Sequence, residues 1–272
     1  EASITVDFKG DKISDVPAFA IAADDLKVRG AARYGQGKDK GDEGLRRIDF
    51  EQITYGRTDI KGALISRPDG GWDAGFHGPS FDMTSIWEDL FHNSPEGGNI
   101  DDLKLPYLTM AVELERVWIG QAKSLENISG TFVHQDDLWK TVLLKGEVGE
   151  NKSFELTIRP GADGNRNLVM TSSDAGAVMK IMDFYDAMVG GKLVITGRYD
   201  DKATGNPLSG NLKVTDYRVT EAPALARVLS FLALTGILEA LEGDGLAFNN
   251  LDIPFVLGAG TLQIKDASAT GT

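Results

Sequence analysis

Apolar and polar residues alternate with a period of two through most of this 272-residue chain. Between residues 108 and 114 the apolar side chains are Leu108, Met110, Val112 and Leu114, with polar or small residues between them. Successive side chains of a β-strand point to opposite faces of a sheet, so this pattern predicts strands that turn one apolar face inward. The alternation therefore favours a mainly β fold.

The strand-like segments follow one another at intervals of about 8 to 15 residues, which is typical of antiparallel hairpins rather than of β-α-β units. Besides the segments that begin at Ser3 and Leu108 and the hairpin of residues 153–172, strands are predicted at 18–28, 47–55, 60–67, 72–77, 129–135, 138–148, 192–199, 210–218, 251–257 and 261–265. A short motif recurs as GKLVITG, GNLKVTD and GTLQIKD, each with two apolar residues two positions apart. We therefore expect a long, twisted antiparallel sheet.

Three short helices are predicted at residues 84–91, 175–189 and 223–241. The first begins with the spacing of a capping box, and the second has a one-sided apolar stripe before Gly190. The third is apolar nearly all round, but Arg227 and the glutamates near its end argue against a membrane span. Such a helix is either enclosed in a core or lies in a groove that also holds something apolar.

The polar segment HNSPEGGNIDD, residues 92–102, is the best candidate for a boundary within the chain. It predicts an N-terminal β segment at 1–95 and a second β segment at 96–272 that carries the second and third helices. The two segments can also form one continuous domain. Since the chain begins without Met and stops just after a strand, we expect it to be a piece of a longer protein.

Composition argues against several classes of function. A net charge of −13 and a pI near 4.7 argue against a nucleic-acid partner. The chain has no cysteine, and its three histidines have no metal-ligand spacing, so no metal site or cofactor is predicted. No nucleophile elbow, phosphate loop or dinucleotide-binding glycine pattern is present, so no catalytic residue is assigned. The chain is expected not to be an enzyme, although a β-rich carbohydrate-active enzyme remains a third interpretation.

Several segments together resemble the C-terminal region of bacterial AsmA-like proteins, nearest to the large YhdP/TamB-type members. The matching elements are a short helix before Gly190–Gly191, a strand closing on DYRVTEAP, an apolar helix with a Leu-Thr-Gly centre, the turn GDGLAF and a last strand before DASATG. The resemblance is strongest over residues 172–272. Upstream, GPSFDMTSIWEDL and LPYLTMAVELERVWIG match more weakly.

The resemblance implies a sheet rolled into a taco-like groove with an apolar inside. It further implies a periplasmic protein, anchored in the inner membrane by a segment outside this chain, that carries phospholipid between the inner and outer membranes and supports envelope integrity. On this interpretation the candidate lipid-binding residues are Val228, Phe231, Leu232, Leu234, Leu238, Val112 and Leu114. The alternative is a structural or assembly module that binds an envelope protein through an open sheet edge.

Overall fold

The computed structural model describes residues 1–36, 43–89, 105–220, 245–258 and 261–271. The chain divides into two compact units, and for the described residues the division falls between Leu144 and Lys145. The boundary expected at 95/96 falls outside the described residues and stays a prediction. Each unit is built mainly of strands, so the expectation of a mainly β fold is confirmed.

Neighbouring strands of the first unit follow the order of the chain. They are β1 (Ala2–Lys9), β2 (Lys12–Ala23), β3 (Leu26–Gln36), β4 (Glu43–Tyr55), β5 (Thr58–Ser66), β6 (Trp72–Asp82), β7 (Leu108–Trp118) and β8 (Ser124–Gln135). The next strand, β9 (Leu138–Val148), contains the division between the units. Short polar turns join most of these strands, as the hairpin pattern predicts.

One pair in the first unit departs from the antiparallel pattern. Strands β6 and β7 are parallel, with Trp72 opposite Leu108 and Asp82 opposite Trp118. Parallel neighbours need a crossover connection, and residues 83–107 provide it. The alternation of side chains does not encode strand direction, so an antiparallel sheet throughout was the wrong expectation at this pair.

The second unit also places its strands in chain order. They are β10 (Lys152–Pro160), β11 (Arg166–Ser172), β12 (Met188–Tyr199), β13 (Leu208–Val219), β14 (Leu246–Gly258), β15 (Thr261–Ile264) and β16 (Ser268–Gly271). The last two both pair with β14, one along each half of it. The break between β15 and β16 lies beside Pro254 of β14, which has no backbone N–H. Asp266 adopts a left-handed φ of 47° within this break.

The predicted strand at 18–28 is wrong, because β2 and β3 meet within it. Asp24 has a left-handed φ of 48° and, with Asp25, turns the chain between Ala23 and Leu26. Aspartate tolerates this conformation better than most residues, since its short side chain bonds the local backbone. A run of alternating small and apolar residues hid the turn.

Two helices are found in the described residues instead of three. Helix α1 (Thr84–Glu88) falls within the predicted 84–91. Helix α2 (Ala175–Ile181) begins where predicted but ends eight residues earlier than the expected 189, because Asp183 has a left-handed φ of 59° and Phe184 N–H bonds back to the Met179 carbonyl. The third, at 223–241, lies outside the described residues. Neither described helix has the length and apolar character to cross a bilayer.

The N-terminus of α2 gives a first testable prediction. Asp174 is its N-cap, and one carboxylate oxygen accepts a hydrogen bond of 2.9 Å from the Ala177 N–H. Replacing Asp174 with Ala should lower the free energy of unfolding by about 1 kcal/mol, whereas Asn should retain most of it. Urea unfolding of the three proteins measures the difference, and an Ala variant as stable as wild type would contradict it.

Candidate functional site

One face of the first unit is apolar from β1 to β8. The register places its side chains in three rows that cross the strands. The rows are Val16, Ala32, Ile48, Leu64, Ala74, Met110 and Phe132; Ile4, Phe19, Gly30, Phe50, Gly62, Phe76, Val112 and Gly130; and Ile21, Val28, Ile53 and Ile60, with Leu114 paired to Ile128 farther along. We call this surface the first apolar face.

The opposite face of the same strands is mainly polar. Its cross-strand neighbours include Asp49, Asp73, Lys61, Glu113, Arg33, Arg47, Thr109, Thr131 and Ser129. The Arg47 guanidinium donates to Asp49, and this hydrogen bond holds the pKa of the Asp49 carboxyl below its ordinary value. A sheet with one apolar and one charged side keeps only the charged side in water.

The middle row of the first apolar face alternates large residues with glycine, and we call it the Phe/Gly row. The rings of Phe19 and Phe50 are 6.3 Å apart and perpendicular, and those of Phe50 and Phe76 are also 6.3 Å apart. One strand lies between the two members of each pair, and it carries a glycine at this level. The glycine is Gly30 between Phe19 and Phe50, and Gly62 between Phe50 and Phe76. The rings therefore form a continuous band from β2 to β6.

The band exists because the rings fill the space above the glycines. A Cβ built on Gly30 would lie 2.7 Å from Cζ of Phe19, and one on Gly62 would lie 2.6 Å from Cδ1 of Phe76. The backbone carbonyls of the adjacent strand would be closer still. No other residue type fits at Gly30 or Gly62 without displacing its neighbours.

The second unit repeats the arrangement. Its apolar face carries three rows: Phe154, Ser172, Leu193, Val214 and Leu251; Leu156, Met170, Ile195, Leu212 and Ile253; and Ile158, Leu168, Gly197, Gly210, Phe255 and Ile264. The Phe255 ring lies over Gly210, where a Cβ would be 2.7 Å from Cζ. The recurring motif of the sequence thus contributes apolar pairs to one face.

Burial differs along this second face and is deepest at Leu193 and Val214. Leu193 and Val214 are 1 % and 0 % exposed at the end where α2 packs against β12 and β13. Leu156, Ile195 and Leu212 are half-buried in the middle row. On β15, Leu262 is 50 % exposed and Ile264 is 56 % exposed. Helix α2 therefore covers only one end of the second apolar face.

The candidate residues from the sequence fall in two places. Val112 lies in the Phe/Gly row and is half-buried, and Leu114 lies one row farther on, buried against its partner Ile128. Val228, Phe231, Leu232, Leu234 and Leu238 lie outside the described residues. A lipid-binding role for all seven stays a prediction, and Val112 is the better exposed of the two that the structure describes.

Past Leu114 the alternation changes face. Leu114 lies opposite Ile128 and Arg116 opposite Glu126, and Asn127 between them has a left-handed φ of 51°. Beyond them the buried residues are Val117 and Ile119, of opposite parity to Leu114. The first apolar face therefore ends near Leu114 on β7.

The Arg57 side chain links several segments at this end of the first unit. Arg57 stands 4.5 Å from the Trp118 ring centroid, and its Nε donates to Asp82 over 2.8 Å. Its Nη1 donates to the carbonyls of Gly120 and Gln121. Burial alone would raise the pKa of the Asp82 carboxyl, but the hydrogen bonds from Arg57 and Thr84 outweigh it and hold the pKa below its ordinary value. These contacts tie together the segments that carry Arg57, Asp82 and Gly120. The charge of Arg57 is paired with that of Asp82.

The second unit contains a more deeply buried ion pair. The Arg166 and Asp201 side chains are 2 % and 8 % exposed, and Nη2 lies 2.8 Å from Oδ1. Arg166 also stacks 4.2 Å from the Tyr199 ring centroid, and its backbone N–H donates to Asp201. Such a pair fixes the hairpin ends of β11 and β12, and its removal is costly because the remaining charge stays buried.

The histidines do not form a metal site within the described ranges. His134 is 1 % exposed, with Nδ1 3.2 Å from the Pro106 carbonyl oxygen and its ring against Trp139. His77 is exposed on the polar face, and His92 lies outside the described residues. Across those same ranges, no three His, Asp or Glu side chains come together as metal ligands would.

No family model, curated protein or solved structure matches the chain. The AsmA-like resemblance, and the transport role that it implies, therefore stay predictions. The face-wide apolar surfaces are the most distinctive feature of the described residues. Among their members, sequence reasoning missed the Phe/Gly row, although a glycine inside a strand pattern is a known sign of close backbone approach.

Proposed function

We propose that the chain binds phospholipid by its acyl chains on the apolar sheet faces, and that it conducts phospholipid between the inner and outer membranes. The observation that carries the binding is the first apolar face. It crosses eight strands, and the rings of Phe19, Phe50 and Phe76 in its middle row are half-buried rather than enclosed. Large exposed apolar surfaces mark sites that receive an apolar partner.

The chemistry of the face selects the class of ligand. Its three rows contain no charged side chain, so a sugar or a charged metabolite would lose hydrogen bonds to water without replacement. An acyl chain loses nothing of this kind and gains about 0.8 kcal/mol for each buried CH2. The polar opposite face leaves the other side of the sheet in water.

The transport between the two membranes and the cellular setting rest on the AsmA-like resemblance of residues 172–272. On that basis we place the protein in the periplasm, held at the inner membrane by a segment outside this chain. Neither a catalytic step nor a cofactor enters the proposal. The proposed transport requires only an apolar surface along which acyl chains can move from one position to the next.

A charged substitution tests the binding. Replacing Phe50 with Asp should lower the amount of phosphatidylethanolamine captured from vesicles several-fold, because the carboxylate would lie where acyl chains pack. The matched control is Thr131→Asp, which adds the same charge on the polar face. Captured lipid is quantified by mass spectrometry, and tryptophan fluorescence on the same samples shows that each variant is folded. Equal capture by both folded variants would contradict the proposal.

A second candidate is an assembly module that binds a partner strand at a sheet edge. The observation that favours it is β1, an edge strand with seven of its eight residues exposed and Ile4 and Phe8 each 66 % exposed. Unpaired edges with apolar side chains accept added strands. Replacing Ala2 with Pro should block such pairing while leaving lipid capture intact. The Ala2 N–H points away from β2, since its neighbour Glu1 exchanges both backbone hydrogen bonds with Ala22.

A further inference from the structure

We infer that an acyl chain on the first unit lies across the strands, along the Phe/Gly row, rather than parallel to them. This inference rests on the proposed lipid-binding function and adds the orientation of the bound chain. The row runs Ile4, Phe19, Gly30, Phe50, Gly62, Phe76, Val112 and Gly130, one residue from each strand from β1 to β8.

The rings of the Phe/Gly row lie over its glycines. Because the Phe19 and Phe76 rings lean over Gly30 and Gly62, they occupy the space where those positions lack side chains. On one side stands a row of branched aliphatic residues, Ile21, Val28, Ile53 and Ile60. A chain along the row meets only the Phe rings and the glycines beneath them, whereas a chain parallel to β4 must pass over Ile48, Phe50 and Ile53 in turn.

The length of the row suits an acyl chain. Neighbouring strands are about 4.8 Å apart, so the five intervals from Phe19 to Val112 span about 24 Å. One leaflet contributes about 15 Å of the roughly 30 Å hydrocarbon core, which is the reach of one ordered acyl chain. A single chain therefore fits within the row.

Exposure gives the row a direction. Ile4 at the β1 edge is 66 % exposed, whereas the larger side chains farther along the row, Phe19, Phe50, Phe76 and Val112, are half-buried. The polar head of a lipid needs water, and the methyl end of its chain does not. The head therefore lies at the β1 edge, and the methyl end points toward β7 and β8.

Two photo-reactive lipids test this orientation on the wild-type chain. Vesicles of phosphatidylcholine carry a diazirine either near the ester or near the methyl end of one acyl chain, and crosslinked residues are mapped by mass spectrometry. The near-ester probe should label β1 and β2 around Ile4 and Phe19. The methyl-end probe should label β4 and β5 around Phe50 and Gly62, because a reach of about 15 Å covers about three of the roughly 4.8 Å intervals between strands.

Variants at the exposed end provide the matched control. Ile4→Asp should lower labelling by both probes several-fold, and Thr5→Asp, on the other face of the same exposed strand, should not. If the two probes label one strand at different levels, such as Leu108 and Leu114 on β7, the orientation is wrong while the proposed function stands. If neither probe labels the face in a saturable way, the proposed function itself fails.

Discussion

Replacing Asp201 with Ala is expected to lower the free energy of unfolding of the second unit by about 3 to 5 kcal/mol. Its carboxylate receives two hydrogen bonds of 2.9 Å from Arg166, one from Nε and one from the backbone N–H. Both side chains are almost fully buried. Without the carboxylate, the guanidinium keeps its desolvation cost and loses its counter-charge.

The control for this variant is a second aspartate in the same unit. Asp252 pairs with Lys213 over 3.4 Å, but their side chains are 37 % and 59 % exposed. Asp252→Ala should therefore change stability by less than about 1 kcal/mol, as exposed ion pairs do. Urea-dependent hydrogen exchange of the amides in β11, β12 and β13 measures both variants. Equal small losses would show that the buried pair does not hold these hairpins together.

The second large loss of stability is expected when Gly62 is replaced with Ala. Its Cβ would lie 2.6 Å from the Phe76 ring and would press on the Gly75 carbonyl, so a methyl group requires both the ring and a neighbouring strand to move. Overpacking of this kind costs about 3 kcal/mol. Unfolding in urea, followed by tryptophan fluorescence, reports the loss, since all four tryptophans lie between residues 72 and 139.

Gly75 offers a control in the adjacent strand. It lies on the opposite face, between Ala63 and Ala111, and a Cβ there would have nothing within 4 Å. Gly75→Ala should leave stability unchanged or raise it by up to about 1 kcal/mol, because Ala loses less conformational freedom than Gly in a strand. If both alanine variants lost the same stability, the Phe/Gly row would have no special packing role.

The strands could be predicted from the sequence because alternation is a local signal. Strand β9, predicted at 138–148, has those bounds in the structure. Alternation also grouped Leu108, Met110, Val112 and Leu114 on one face, and the register of β7 with β8 agrees. A period of two can be recognised in the sequence without knowing which strand is the partner.

The Phe/Gly row could not be predicted in the same way, since it depends on how separate strands pair. Between β2 and β3 the register shifts from Val16 to Phe19, and between β4 and β5 it shifts from Phe50 to Ile53. A shift of one residue moves every later side chain to the other face. Only the observed pairings bring Phe19, Phe50 and Phe76 together. A single glycine in a strand does not show which residues of the neighbouring strands lie beside it.

Element ends were the other weak point, for a related reason. The apolar pattern of 175–189 continues beyond Ile181, but the chain leaves the helix at Asp183 and enters β12 at Met188, opposite Val219. Tertiary pairing of β12 with β13 decides this end. Helical spacing and strand spacing are both compatible with so short an apolar stretch.

The central claim is that the apolar faces hold acyl chains, and native mass spectrometry of the wild-type chain tests it most directly. The purified protein is incubated with vesicles of phosphatidylcholine that contain dioleoyl phosphatidylethanolamine and is then sprayed under conditions that preserve non-covalent complexes. We predict protein with phospholipid bound, at a stoichiometry that saturates and that falls in Phe50→Asp but not in Thr131→Asp. A spectrum of ligand-free protein at every lipid concentration would contradict the account.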